Sequence, residues 1–77
     1  MITHRDKQVI KAILDGDTAQ EVGEEFLITR ERVLVIVKTA WSKVSPKIKS
    51  EDIKHGKTGV FFHRENKEQF LIALGIE

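Results

Sequence analysis

The chain has no cysteine, a single proline (Pro46), and no long apolar run in its 77 residues. Without thiols there is no disulfide framework and no thiolate metal site, and a reducing cytosol suits such a composition. No stretch approaches the ~20 apolar residues of a membrane span. Asp6 and Lys7 interrupt the N-terminus before the apolar segment of a signal peptide could form. The expectation is a soluble, cytoplasmic chain. Catalytic constellations are missing as well: no nucleophile–base pair, no Gly-x-Ser-x-Gly and no evident pair of carboxylates. One small core leaves little room for a catalytic cleft, so neither an enzyme nor a cofactor is expected. His4, His55 and His63 are too scattered to suggest a metal site. Gly56-Lys57-Thr58 has the ending of a phosphate-binding loop, but the glycine required five residues earlier is Glu51. The segment His55–Gly59 instead suits a turn. Its Lys54 and Lys57 could form a basic wing on a DNA backbone or simply an ordinary loop.

Charge is present in quantity but unevenly placed. The net charge is +1. Residues 1–28 carry three bases against six acids, a net −3, whereas residues 29–64 carry nine bases against three acids, a net +6. Residues 65–77 return to −2. A basic block in the centre of a small domain is what a nucleic-acid-binding surface needs. A merely solvated surface has the same appearance.

Apolar spacing predicts a mostly α chain. Thr3 with Asp6, and Thr18 with Glu21, have the spacing of capping boxes that open helices. Val9, Ile10, Ile13 and Leu14 form one apolar stripe of a first helix over 3–15, closed at Gly16. A second helix runs over 18–26, with Ala19, Val22 and Phe26 on one face. Gly23 leaves room for close backbone approach. Thr29 suits the N-cap of a third helix over 29–44, which Ser45-Pro46 ends. Residues 46–57 read as a polar loop with a helical turn near Ser50, and 58–63 as a short strand around Val60, Phe61 and Phe62. A last helix covers 65–74, capped by Gly75 and followed by apolar Ile76. Altogether this is one domain over 1–77. Its core is a three-helix, helix-turn-helix unit over 3–45, and residues 46–77 add a strand or turn and a helix.

The stretch from Thr18 to Val44 carries the functional signal. Thr18, Glu21, Val22, Gly23 and Phe26 are followed by Ile28-Thr29-Arg30-Glu31-Arg32-Val33, then Ile36, Lys43 and Val44. Without gaps, this resembles the C-terminal DNA-binding region (region 4) of bacterial primary sigma factors, over about a third of the chain. The resemblance implies a helix-turn-helix that puts its second helix into the DNA major groove. It also implies that Thr29 caps that helix near a phosphate, that Arg30 reaches a guanine edge or the adjacent backbone, and that Glu31 accepts from a cytosine amino group. Arg32 would contact phosphate, and Thr18 and Gln20 would touch the backbone. Apart from the resemblance, Lys38, Lys43, Lys47 and Lys49 of the basic block are expected to add backbone support. Val22, Phe26, Ile28, Val33, Ile36 and Ala40 would be core. An acid and two bases in a first helical turn also occur without any ligand, because they suit the helix dipole and solvent.

The chain departs from this family in two places. Leu27 occupies a turn position that usually holds Gly, Asn or Asp, residues tolerant of left-handed backbone angles. Leu34, Val35 and Val37 stand where the family is polar, the first of them at a position that normally offers arginine to DNA. Leu34, Val37 and Trp41 share one face at helical spacing, and a helix apolar over most of its circumference is covered on more than one side. The cover could be the C-terminal segment through Phe61, Phe62, Phe70, Leu71 and Leu74, a second copy in a homodimer, or another protein. Three functions follow. The first is a small, phage-like transcription regulator binding duplex DNA. The second is a protein-interaction module using Leu34, Val35, Val37 and Trp41, with RNA polymerase, a sigma factor or a second copy as the partner. The third is a DNA accessory protein without sequence preference.

Overall fold

Three threonines set the starts of the first three helices. In the computed structural model, which describes residues 2–75, the Thr3 hydroxyl accepts from the Asp6 amide (3.1 Å), Thr18 from Glu21 (3.1 Å) and Thr29 from Arg32 (3.0 Å). Each bond satisfies one of the amides that a helix start leaves without a partner. They open α1 (His4–Leu14), α2 (Ala19–Phe26) and α3 (Arg30–Val44). At Thr18 the box is reciprocal, because the Glu21 carboxylate accepts from the Thr18 amide at 3.1 Å. Two 3-10 turns follow, Ser45–Lys47 and Ser50–Asp52, then α4 (Gly59–Glu65) and α5 (Lys67–Leu74).

Helix ends are closed by backbone geometry. Gly16 takes φ +113°, and the amides of Gly16 and Asp17 bond back to the carbonyls of Ile13 and Ala12. These are the two bonds of a Schellman motif. The end of α2 has the same logic with a less suitable residue. Leu27 adopts φ 59°, ψ 43°, and the Ile28 amide donates to the Gly23 carbonyl at 2.9 Å.

Burial follows the expected stripes. Val9, Ile10, Ile13 and Leu14 of α1 meet Val22 of α2 and Val33, Ile36, Val37, Ala40 and Val44 of α3. Phe70, Leu71 and Leu74 of α5 complete this single cluster. Phe26 and Ile28, expected in the core, are half-buried at its edge. Each fully buried side chain of this size contributes about 1.5–3 kcal/mol, so α5 is part of the core and not an accessory to a three-helix unit.

The C-terminal part differs from expectation. Residues 58–63 are not a strand: they lie in α4, and no strand occurs among the described residues. Three adjacent apolar residues fit either period. Here the helical one prevails because it turns Phe62 and His63 onto Trp41 while leaving Phe61 62% exposed. Phe61 is therefore not part of the cover expected over α3. Without a strand there is also no β-type wing at Lys54 and Lys57. The last helix begins at Lys67, two residues later than expected, because Asn66 leaves helical angles (φ −101°, ψ 23°). Ile76, expected to follow the Gly75 cap, lies outside the described residues.

Long-range polar bonds fasten this segment. Asn66 is buried, and its amide pairs with both backbone groups of Lys54 (2.8 and 2.9 Å) and with the Phe62 carbonyl (2.9 Å). Arg64 donates to the carbonyls of Ile13 (2.9 Å) and Asp17 (2.8 Å), capping the end of α1. Lys67 and Lys11 both pair with Asp15, at 2.7 and 3.0 Å.

Candidate nucleic-acid interface

Helix α3 divides its circumference into three parts. Val33, Ile36, Val37, Ala40 and Val44 face the core. Leu34 and Trp41, both half-buried, lie beside them. The remaining strip is exposed and consists of Glu31, Arg32, Val35, Lys38, Thr39, Ser42 and Lys43. At 3.6 residues per turn, these seven residues lie on one side, opposite Val33 and Val44. Arg30, also exposed, lies outside this strip: at the first turn of the helix it projects on the side of Val37 and Trp41. Three cations, Arg32, Lys38 and Lys43, thus share this surface with one carboxylate, Glu31, whose contact with Arg30 is loose at 3.8 Å and solvent-exposed. Such a pair holds neither side chain firmly.

The start of this strip is positioned by the turn before it. A β-carbon on Gly23 would lie 2.7 Å from the Ile28 carbonyl oxygen and 3.4 Å from the Arg30 amide nitrogen. The missing side chain is what lets α2 approach the first turn of α3. The close approach that Gly23 permits is thus made by the connecting turn itself. On the other side, the Arg5 guanidinium donates to the Phe26 carbonyl and lies 6.0 Å from the Phe26 ring centroid. Leu27 itself is 90% exposed, so packing does not hold it in its left-handed conformation.

Thr18 and Gln20 are at the exposed start of α2. The Thr18 hydroxyl is engaged in the capping box. The bonds that the Thr18 backbone amide and hydroxyl make to Glu21 lower the pKa of that carboxylate. Thr29 likewise spends its hydroxyl on the Arg32 amide. The amides of Arg30 and Glu31 remain at the free end of a 15-residue helix.

The apolar residues expected at the rear of α3 do not form one surface. Val37 is 1% exposed and closed off as core. Trp41 is covered edge-on by Phe62, His63 and Phe70, with ring centroids 5.3, 5.7 and 5.1 Å away. Trp41 is thus partly covered by the chain's own C-terminal helices, and Val37 is reached only through the floor of a cavity between α3 and α4. Leu34 lines a cavity of about 460 Å³ between α3 and α4, together with Val60, Phe62 and the stem of Lys38. Val35 points the other way and is 48% exposed. A helical projection of residues 30–44 separates Val35 from Leu34, Val37 and Trp41, a distinction that is lost when the run is taken as one apolar block. His63, which the sequence does not single out, is buried against Trp41, Phe62 and Phe70. Burial lowers its pKa, and the Lys38 charge adds to this.

A scan against protein-family models gives no match. A search of curated proteins gives none either, nor does a search of solved structures.

Proposed function

We propose that the chain is a DNA-binding transcription regulator, with α2 and α3 acting as a sigma-like helix-turn-helix. The observation that carries this reading is the exposed strip of α3, where Arg32, Lys38 and Lys43 face solvent together while the opposite side is core, with Arg30 exposed at the start of the helix. Arg30 and Glu31 are the base-edge readers, since guanine accepts from arginine and the cytosine amino group donates to a carboxylate. Arg32, Lys38 and Lys43 neutralise phosphates and set register. Thr18 and Gln20 approach the backbone from the start of α2.

Such a unit binds weakly alone and with steep salt dependence. Attachment to RNA polymerase or pairing with a second copy would raise its useful specificity. The test is a low-salt mobility-shift titration with duplex DNA, comparing the parent with the double variant Arg30→Ala/Arg32→Ala. Both side chains are exposed, so folding is preserved and binding is lost. A parent that does not bind, or a variant that binds as well as the parent, rejects the reading.

A second reading rests on the cavity beside Leu34. Its lining of Leu34, Val37, Val60 and Phe62 would suit an apolar side chain of a protein partner such as polymerase or a sigma factor. Leu34→Glu distinguishes the two: it removes protein capture under the second reading and leaves DNA binding intact under the first.

A further inference from the structure

One side chain on the exposed strip of α3 has no explanation in folding. Val35 is half-exposed among polar neighbours one turn away in both directions, Glu31 and Arg32 before it and Lys38 and Thr39 after it. Every other exposed residue of α3 is charged or hydroxylated. A β-branched residue on an exposed helix position gains little from burial and loses rotamer freedom against the preceding turn. Helix formation and core packing would both be served as well or better by a polar residue there.

The position is central. Val35 lies midway across the strip, between Lys38 on one side and Arg32 and Lys43 on the other, so any duplex that meets these three cations also meets Val35. The apolar feature that a base pair offers in the major groove is the C5-methyl of thymine. We infer that Val35 is a base-reading residue, its methyl groups packing against the C5-methyl of one thymine in the target site. This rests on the DNA-binding reading above and goes beyond it by naming a base and the atom read. Leu34, which the sequence offers equally for such a contact, is turned toward α4 and its cavity. Beside Val35 the surface dips into a notch of about 100 Å³ over Ile36 and Ala40, edged by Arg32, Thr39, Lys43, Ile2 and Asp6. The floor of that notch is apolar, so an uncharged methyl edge is compatible with it, and its rim cations Arg32 and Lys43 are placed for the flanking phosphates.

The experiment uses the full chain. Bound duplexes are selected from a random library at low salt, and each thymine of the winning site is then replaced singly by deoxyuridine, which deletes only the C5-methyl. The expected result is one position at which the replacement weakens binding about fourfold, the factor for returning one methyl-sized group to water. Val35→Ala, at an exposed site, should bind thymine and deoxyuridine duplexes equally, while Val35→Ile should keep the difference. Four outcomes overturn the inference while DNA binding stands: binding without sequence preference, a selected site without thymine, no deoxyuridine effect at any position, or an effect that persists in Val35→Ala. If the parent binds no duplex at all, the functional reading itself falls and this inference with it.

Discussion

The Ile28 carbonyl oxygen occupies space that a side chain on Gly23 would need: a β-carbon there would sit 2.7 Å from it. This contact joins α2 to the turn that launches α3, and it involves backbone that cannot swing aside. Alanine normally improves a helix position held by glycine, by up to about 1 kcal/mol. At Gly23 the clash should outweigh that gain, with overpacking costing about 1–3 kcal/mol. Gly23→Ala is expected to lower the urea midpoint without changing the slope, and to weaken DNA binding through displacement of the first turn of α3.

Leu27 should respond in the opposite sense. It is 90% exposed and has φ 59°. The left-handed conformation costs an L-residue about 1–2 kcal/mol, partly offset by the greater chain entropy that a glycine gives the unfolded state. Leu27→Gly is therefore expected to stabilise the chain by about 0.5–1 kcal/mol, seen as a higher midpoint in thermal or urea unfolding. A loss of stability would mean that Leu27 makes contacts that its exposure does not suggest.

Asn66 holds the loop before α4 to the break between α4 and α5 through three bonds to backbone. Truncating it removes the partners of both Lys54 backbone groups, at about 1–3 kcal/mol for each group that water does not reach, while the Phe62 carbonyl keeps the Asn66 backbone amide at 3.2 Å. Asn66→Ala should destabilise the whole domain, and Asn66→Asp should rescue it only partly. Aspartate can still accept from the Lys54 amide but has lost the donor that serves the two carbonyls. Hydrogen exchange at Lys54 should accelerate in both variants.

The pH dependence of stability has two parts. His63 is buried among Trp41, Phe62 and Phe70, its Nδ1 has no hydrogen-bond partner among the described residues, and burial and then Lys38 depress its pKa below the ordinary 6.5. The unfolded chain thus takes up a proton at a pH where the folded chain still resists it. Stability is retained above about pH 6.5 and falls as pH drops below that value. Lys67 and then Lys11 hold the Asp15 carboxyl below its ordinary 3.8, and the Thr18 bonds hold Glu21 below its ordinary 4.5. Both carboxylates are favoured above those values and lose their contribution only on further acidification. His63→Phe should remove the upper part of the profile and leave the acid limb in place. An unchanged slope between pH 6.5 and 5 would show that His63 does not contribute it.

On duplex DNA, Lys43→Ala and Lys38→Ala should each weaken binding evenly across sequences and reduce the salt slope by about 1. Arg30→Ala should instead relax preference at one base pair. A salt slope unaltered by either lysine change would remove both from the phosphate contacts.

Local chemistry was legible in the residue order. Threonine spacing marked all three N-caps, and the stripes of Val9, Ile10, Ile13 and Leu14, and of Val33, Ile36 and Ala40, gave the buried faces. These signals depend on near neighbours along the chain and need nothing from elsewhere. The C-terminal extension was not legible in the same way. Val60-Phe61-Phe62 is too short a run for its period to show, and the bonds that decide it come from far away: Asn66 to Lys54, and Arg64 to Ile13 and Asp17.

For the candidate site the division is similar. The order of residues settles that Thr29 caps a helix opening with Arg-Glu-Arg, and that cations recur behind it. Only the packed chain decides what happens to the apolar residues between them. Val37 is taken into the core, Trp41 is half-covered where α4 and α5 fold back against it, Leu34 borders the cavity that remains, and Val35 is left half-exposed. Burial is a property of the neighbours a side chain acquires in space, and those neighbours, Phe62, His63 and Phe70, lie more than 20 residues along the chain from α3's apolar run.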